Sequence, residues 1–231
     1  MGIPGSELLP SHLSLIPLIA IFAERDHIRA SEEKILRRWF LASNAFSHYV
    51  GASETKLNQD LTVLGPNSGN IPGLLDQLLK DLRGEPKITA QDLERAGMNS
   101  PFFCLSYLAA VSQNATDWFK GIKLHRDSFN DNQNIEYHHI FPKKLLDAKG
   151  VDRYLRDEMA NIAFLSQKAN RRIMATEPAE YLAAIAESSP NRLEAQFVPM
   201  DEELWQIDRF DDFLEARRAM LAEKMNEILY I

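Results

Sequence analysis

Residues 136–142 read Glu-Tyr-His-His-Ile-Phe-Pro, and residues 160–173 read Ala-Asn-Ile-Ala-Phe-Leu-Ser-Gln-Lys-Ala-Asn-Arg-Arg-Ile. Ile135–His139 is a β-prone run, and Pro142, which has no N–H to give a ladder, stops it. A polar turn is expected just before it, over Asp131–Asn134. Asn161–Leu165 is a second β-prone run, followed by a short helix over Gln167–Met174. Lys143–Ala148 and Asp152–Met159 read as short helical pieces between the two runs. Strand, excursion, strand, helix is a minimal ββα unit.

Outward from that unit the chain is helical. Towards the N-terminus, Leu13–Phe22 carries apolar residues at helical spacing. Ser31 can cap a helix with Ile35, Leu36, Trp39 and Phe40 on one stripe, continuing past Phe46 and Tyr49 to Gly51. Further helices are expected over Ser53–Leu64, Ile71–Leu82, Thr89–Ala96 (capped by Thr89) and Pro101–Val111. Beyond the unit, Glu177-Pro178 opens a helix through Ile185. Asp201–Leu229 is largely helical, with Phe210, Phe213, Leu214, Arg217, Leu221, Met225 and Ile228 on one face, a pattern that means core packing. The expected class is mainly α (α+β), a helical bundle with an embedded ββα motif. Residues 1–117 form a helical region, and the character changes at Trp118, so that 118–231 carry the motif and the C-terminal helices.

The 231 residues are 45% hydrophobic and 26% charged, ordinary for a globular chain with a substantial core. The lone Cys104 excludes an intramolecular disulfide and a multi-cysteine zinc site, and fits a cytoplasmic setting. The apolar stretch Leu13–Ala23 is too short to span a bilayer and is broken by Pro17. Net charge is −7, which argues against a uniformly nucleic-acid-binding surface. The window 138–172 is different. It holds eight basic and four acidic residues and is therefore +4, on a remainder of −11. A local basic window is compatible with phosphate contact, although charge alone favours a solvated surface.

Histidine is the natural base for activating water near neutral pH. His138 and His139 are adjacent on a strand, so their side chains point to opposite faces unless the strand ends there. Pro142 implies an end, and a turn that brings both to one site. His12, His27, His48 and His125 have no partner visible in the sequence and are read as structural.

The order His138-His139-Ile140-Phe141-Pro142, then Asn161, then Asn170, resembles the motif of HNH (ββα-metal) endonucleases. It is most similar to the C-terminal nuclease region of GmrSD-like type IV restriction and phage-defence proteins. Ile35–Leu61, with Trp39, Phe46, Tyr49 and Asp60, resembles the helical segment that precedes that nuclease. Pro178–Tyr181 and Phe213–Leu229 resemble the segments that follow it.

The resemblance implies a metal-dependent hydrolysis of DNA phosphodiesters. His139 is then the general base and Asn161 the residue that orients its ring through a hydrogen bond. His138 and Asn170 take the metal-ligand places, and Lys143, Lys144, Lys168, Arg171 and Arg172 are candidate phosphate contacts. Oxygen ligands suit Mg²⁺ or Mn²⁺, whereas two histidines on one ion would favour Mn²⁺, Ni²⁺ or Zn²⁺. The implied partner is double-stranded DNA, plain or modified, with a homodimer or two encounters needed for a double-strand cut and no membrane partner. The nucleotide-hydrolysing N-terminal domain of GmrSD-like proteins, with its Asp-Gly-Gln-Gln stretch, has no counterpart here and is an expected partner. The alternative is a catalytically inactive DNA- or protein-binding module on the same scaffold.

Overall fold

The structure, a computed structural model, describes residues 3, 5, 8–124 and 135–230. The expected turn at Asp131–Asn134 and His125 lie outside the described residues. The helices are α1 (Leu15–Glu24), α2 (Ala30–Ala45), α3 (Ser53–Leu64), α4 (Ile71–Asp81), α5 (Phe103–Ser112), α6 (Lys143–Ala148), α7 (Arg153–Arg156), α8 (Gln167–Ile173), α9 (Pro178–Ser188), α10 (Pro190–Glu194) and α11 (Phe210–Leu229). Two strands, β1 (Ile135–His139) and β2 (Ile162–Ser166), pair antiparallel with His138 opposite Ala163 and His139 opposite Ile162. The protein is mainly α. Among the described residues no helix is long and apolar enough to cross a membrane.

The chain divides into two compact units, with one boundary between Lys87 and Ile88. The first holds α1 to α4 and residues 226–231. Its core is built from Ile21, Leu36, Trp39, Phe40, Leu64, Ile71, Leu74 and Leu78, all buried. A fully buried carboxylate sits within it. Asp60 Oδ2 accepts from Tyr49 Oη at 2.5 Å and pairs with His48 Nε2 at 3.0 Å. Burial, with the Asp60 hydrogen bond, pushes the Tyr49 hydroxyl well above its ordinary pKa. His48, for which the sequence offered no partner, thus pairs with a buried carboxylate.

Two helix starts differ from the sequence expectation. Helix α2 begins one residue before Ser31, because the Glu32 carboxylate accepts from the Arg29 backbone N–H at 2.9 Å and satisfies that end of the helix. Thr89 and Asp92 bond each other across a single 3₁₀ turn, Gln91–Leu93, in place of the longer helix expected over Thr89–Ala96.

The second unit, residues 88–225, contains both strands and α5 to α10. Residues 88–117, placed with the helical region by the sequence, pack into this unit. The apolar face of α11 is buried as its spacing predicts. Arg217 lies on that same face and is 2% exposed. Its guanidinium donates to the carbonyls of Ala160 at 2.8 Å, Gln196 at 2.9 Å and Phe197 at 3.2 Å. Loss of hydration there draws its pKa down to about 9. Three satisfied carbonyls explain how a cation survives burial.

Candidate active site

Strand β1 runs through His139 without bending early, so the two histidines keep the alternation of an extended chain. They face different surroundings, and no turn gathers both rings at one point. His138 is buried, with Trp118 and Tyr181 at ring distances of 5.8 and 6.0 Å. Its Nδ1 meets Asn170 Oδ1 at 2.8 Å. The Asn170 Nδ2 in turn donates to Glu136 Oε2 at 2.5 Å. That second contact fixes the orientation of the amide, since the reverse would place two acceptors together. Glu136 stands two residues before His138, on the same face of β1. Strand and helix α8 thereby bring an imidazole, an amide and a carboxylate to one place.

Helix α8 can deliver Asn170 because Ser166 ends β2 and caps the helix at once. Its side chain accepts from the Ala169 N–H. Ser166 is itself held by buried Asp117, at 2.6 Å from its hydroxyl and 3.0 Å from its backbone N–H.

His139 is only partly buried. Its Nε2 lies 3.1 Å from Asp157 Oδ1. Lys143 Nζ reaches the same oxygen at 2.9 Å, and Arg156 Nη2 reaches Oδ2 at 2.7 Å. The Arg156 guanidinium, with Lys143, holds the Asp157 carboxyl well below the ordinary range. Burial lowers both His138 and His139 to about 4, and the Lys143 charge adds to the effect at His139. Both imidazoles are therefore neutral at pH 7, the state a base or a metal ligand needs.

Asn161 behaves differently from the role implied by the motif. It is fully buried, and both amide protons are used, on Phe141 O at 3.1 Å and Arg156 O at 2.8 Å. Its oxygen accepts from Phe141 N–H at 2.8 Å. Those bonds hold the turn after β1 and leave the amide no proton for the His139 ring. Asn161 fixes the backbone that carries His139, and Asp157 meets the imidazole instead.

An open depression of about 570 Å³ is lined by Met98, Ile135, Glu136, Tyr137, His139, Lys143 and Asn170. Of the five basic candidates, Lys143 is the one on this lining. Lys144, Lys168, Arg171 and Arg172 are exposed, and the Arg172 guanidinium stacks over Phe119 at 4.5 Å. Asp157 and Glu136 are the two site residues missed in the sequence. For Glu136 the signal was present, as the strand period places it beside His138.

His138 Nδ1, Asn170 Oδ1 and the Glu136 carboxylate are the groups here that could hold a divalent ion. Among the described residues no group of three or more His, Cys, Asp or Glu side chains is placed to hold a metal ion. Adjacent corners of an octahedron with bonds of about 2.1 Å stand about 3 Å apart, close to the 2.8 Å between Nδ1 and Oδ1. Tyr181 Oη gives its proton to Ile140 O at 2.7 Å, so its oxygen can only accept from His138 Nε2, 3.5 Å away. The amide orientation makes Asn170 Oδ1 an acceptor, so His138 Nδ1 carries the ring proton and donates to it; Nδ1 could take a cation only after that proton moved to Nε2, where Tyr181 Oη would accept it.

Comparison with known proteins adds little to this geometry. The chain is 22% identical over 235 residues to an uncharacterized protein of Methanocaldococcus jannaschii. That alignment covers 84% of this chain and 37% of the relative, so the chain spans well under half of the relative's length. No protein-family model matches the chain. No solved structure matches it either.

Proposed function

We propose that the second unit is an HNH-type, metal-dependent endonuclease that hydrolyses DNA phosphodiester bonds, the nuclease part of a restriction or phage-defence protein. The observation that carries this reading is the 2.8 Å approach of His138 Nδ1 and Asn170 Oδ1. Two residues 32 positions apart, one on β1 and one on α8, meet through a hydrogen bond at the positions the motif gives to metal ligands, while the neighbouring His139 borders the open depression with Lys143.

The residues support a simple division of labour. His138, Asn170 and Glu136 would hold the ion, and one histidine with two oxygen donors would suit Mg²⁺ or Mn²⁺. When bound, the ion supplies positive charge to the developing phosphorane and to the departing oxygen. Lys143 gives a point charge to a non-bridging phosphate oxygen. His139, neutral at working pH, takes a proton from the attacking water as the P–O bond forms. The P–O3′ bond breaks in line, and the 3′ oxygen takes its proton from solvent. Buried His138, with Trp118 and Tyr181 packed around it, excludes water from the ligand side.

Conversion of supercoiled plasmid to nicked or linear product with Mg²⁺ or Mn²⁺, blocked by EDTA, tests the reading. Plain and modified DNA belong in the same series, because the resembling proteins act on modified DNA. DNA binding that weakens with salt, with no cleavage under any metal, would favour the inactive binding module instead.

A further inference from the structure

We propose that Asp157 is the positioning residue of the His139 base, keeping the ring proton on Nε2 and the lone pair on Nδ1. The inference rests on the nuclease reading above and assigns the orienting role that Asn161 does not fill. Asp157 Oδ1 and His139 Nε2 are 3.1 Å apart. A carboxylate can only accept, so this contact requires the proton on Nε2. A neutral imidazole with its proton there carries its lone pair on Nδ1.

The carboxylate is held from every side. Arg156 grips it twice, Nε to Oδ1 at 3.2 Å and Nη2 to Oδ2 at 2.7 Å, while Arg156 Nη1 is tied to Asp147 at 2.6 Å. Lys143, 2.9 Å from Oδ1, adds a second cation, and Arg153, 3.6 Å from Oδ2, a third. The backbone beneath is anchored as well. Met159 N–H donates to Ala96 O at 2.7 Å, and the neighbouring Glu158, fully buried, takes Arg218 through two bonds and the Arg95 N–H through a third. A Cβ on Gly97 would stand 3.2 Å from the Asp157 carbonyl, so the two segments meet at near contact. A side chain held this firmly can fix a ring orientation, and it is poorly suited to swing aside. That geometry favours a fixed orienter over a carboxylate that occupies the place of a substrate phosphate and leaves when DNA arrives.

The test pairs long-range ¹H–¹⁵N spectra of the His139 ring with cleavage kinetics, in wild type, Asp157→Asn and Asp157→Glu. Wild type should show the Nε2–H pattern. The amide introduced by Asp157→Asn can donate to Nε2 and move the proton to Nδ1, so the pattern should change. In the serine-protease triad the equivalent substitution costs about 10⁴-fold in kcat through the wrong tautomer. A loss of at least about 10²-fold in kcat with KM little changed is expected here, partly restored by Asp157→Glu. An Nδ1–H pattern in wild type, or an unchanged pattern in Asp157→Asn, would overturn the proposal. So would faster cleavage with a lower KM, which would mark Asp157 as a substrate mimic. Absence of cleavage by the wild type would sink the nuclease reading, whereas the spectra still decide whether Asp157 sets the His139 proton.

Discussion

Asn170 bridges His138 and Glu136 with one amide, its oxygen 2.8 Å from the imidazole and its nitrogen 2.5 Å from the carboxylate. Removing that amide removes both hydrogen bonds and, on the nuclease reading proposed above, one ligand of the ion. Asn170→Ala should weaken Mn²⁺ binding by about 10-fold or more, in line with lost metal-site partners elsewhere. Asn170→Asp, which offers a carboxylate oxygen at the same reach, should bind at least as tightly as wild type. Titration calorimetry on the metal-free protein reads both, and equal affinity in Asn170→Ala would place the ion elsewhere.

The pH dependence of stability follows from the two histidines. Both are held at about 4 in the folded protein, against 6.5 for an ordinary imidazole. Between those values the unfolded chain binds more protons than the folded one, so stability rises with pH across the window and is lost on acidification. Urea midpoints of the metal-free protein should fall as pH drops from 6.5 towards 4. His139→Gln should flatten part of that slope. A midpoint independent of pH across the window would contradict the burial argument.

Asn161 should prove structural before it proves catalytic. Asn161→Ala leaves the Phe141 N–H and two carbonyls without their partners. Each orphaned buried group costs about 1–3 kcal/mol, so chemical denaturation should show a loss of several kcal/mol. A variant as stable as wild type but inactive would restore a direct role for the amide.

Arg217→Met should be similarly costly. The side chain keeps its length and apolar stem but leaves three buried carbonyls unpaired, a penalty of about 3 kcal/mol or more. The denaturation midpoint reads it, and a stabilised variant would show that the carbonyls find other donors.

Much of the scaffold was legible in the sequence because it rests on local periodicity. The β-prone runs at 135–139 and 161–165 match β1 and β2 to within a residue, and the stripe from Phe210 to Ile228 is the buried face of α11. The meeting of His138 with Asn170 was anticipated only through the resemblance to the HNH motif, which gives both residues metal-ligand places. The partner of His139 was not. Asp157 lies 18 residues away, at the end of a four-residue helix, and in the sequence it is one acid in a charge-rich turn. Its position depends on how the excursion between the strands folds back, and no short-range pattern encodes that path. Arg217 failed for a related reason. Its spacing showed that it faces the core, but the carbonyls that accept it come from residues 160, 196 and 197.

The central claim is that His139 is the base of a metal-dependent phosphodiesterase. Single-turnover cleavage of plasmid DNA at saturating Mn²⁺, in wild type and in His139→Ala, tests it most directly. Folding of the variant is verified by its denaturation curve. Metal-dependent nicking by the wild type is expected, with a loss of about 10²–10⁴-fold in the variant, the usual contribution of a general base. Equal rates in the two proteins would contradict it.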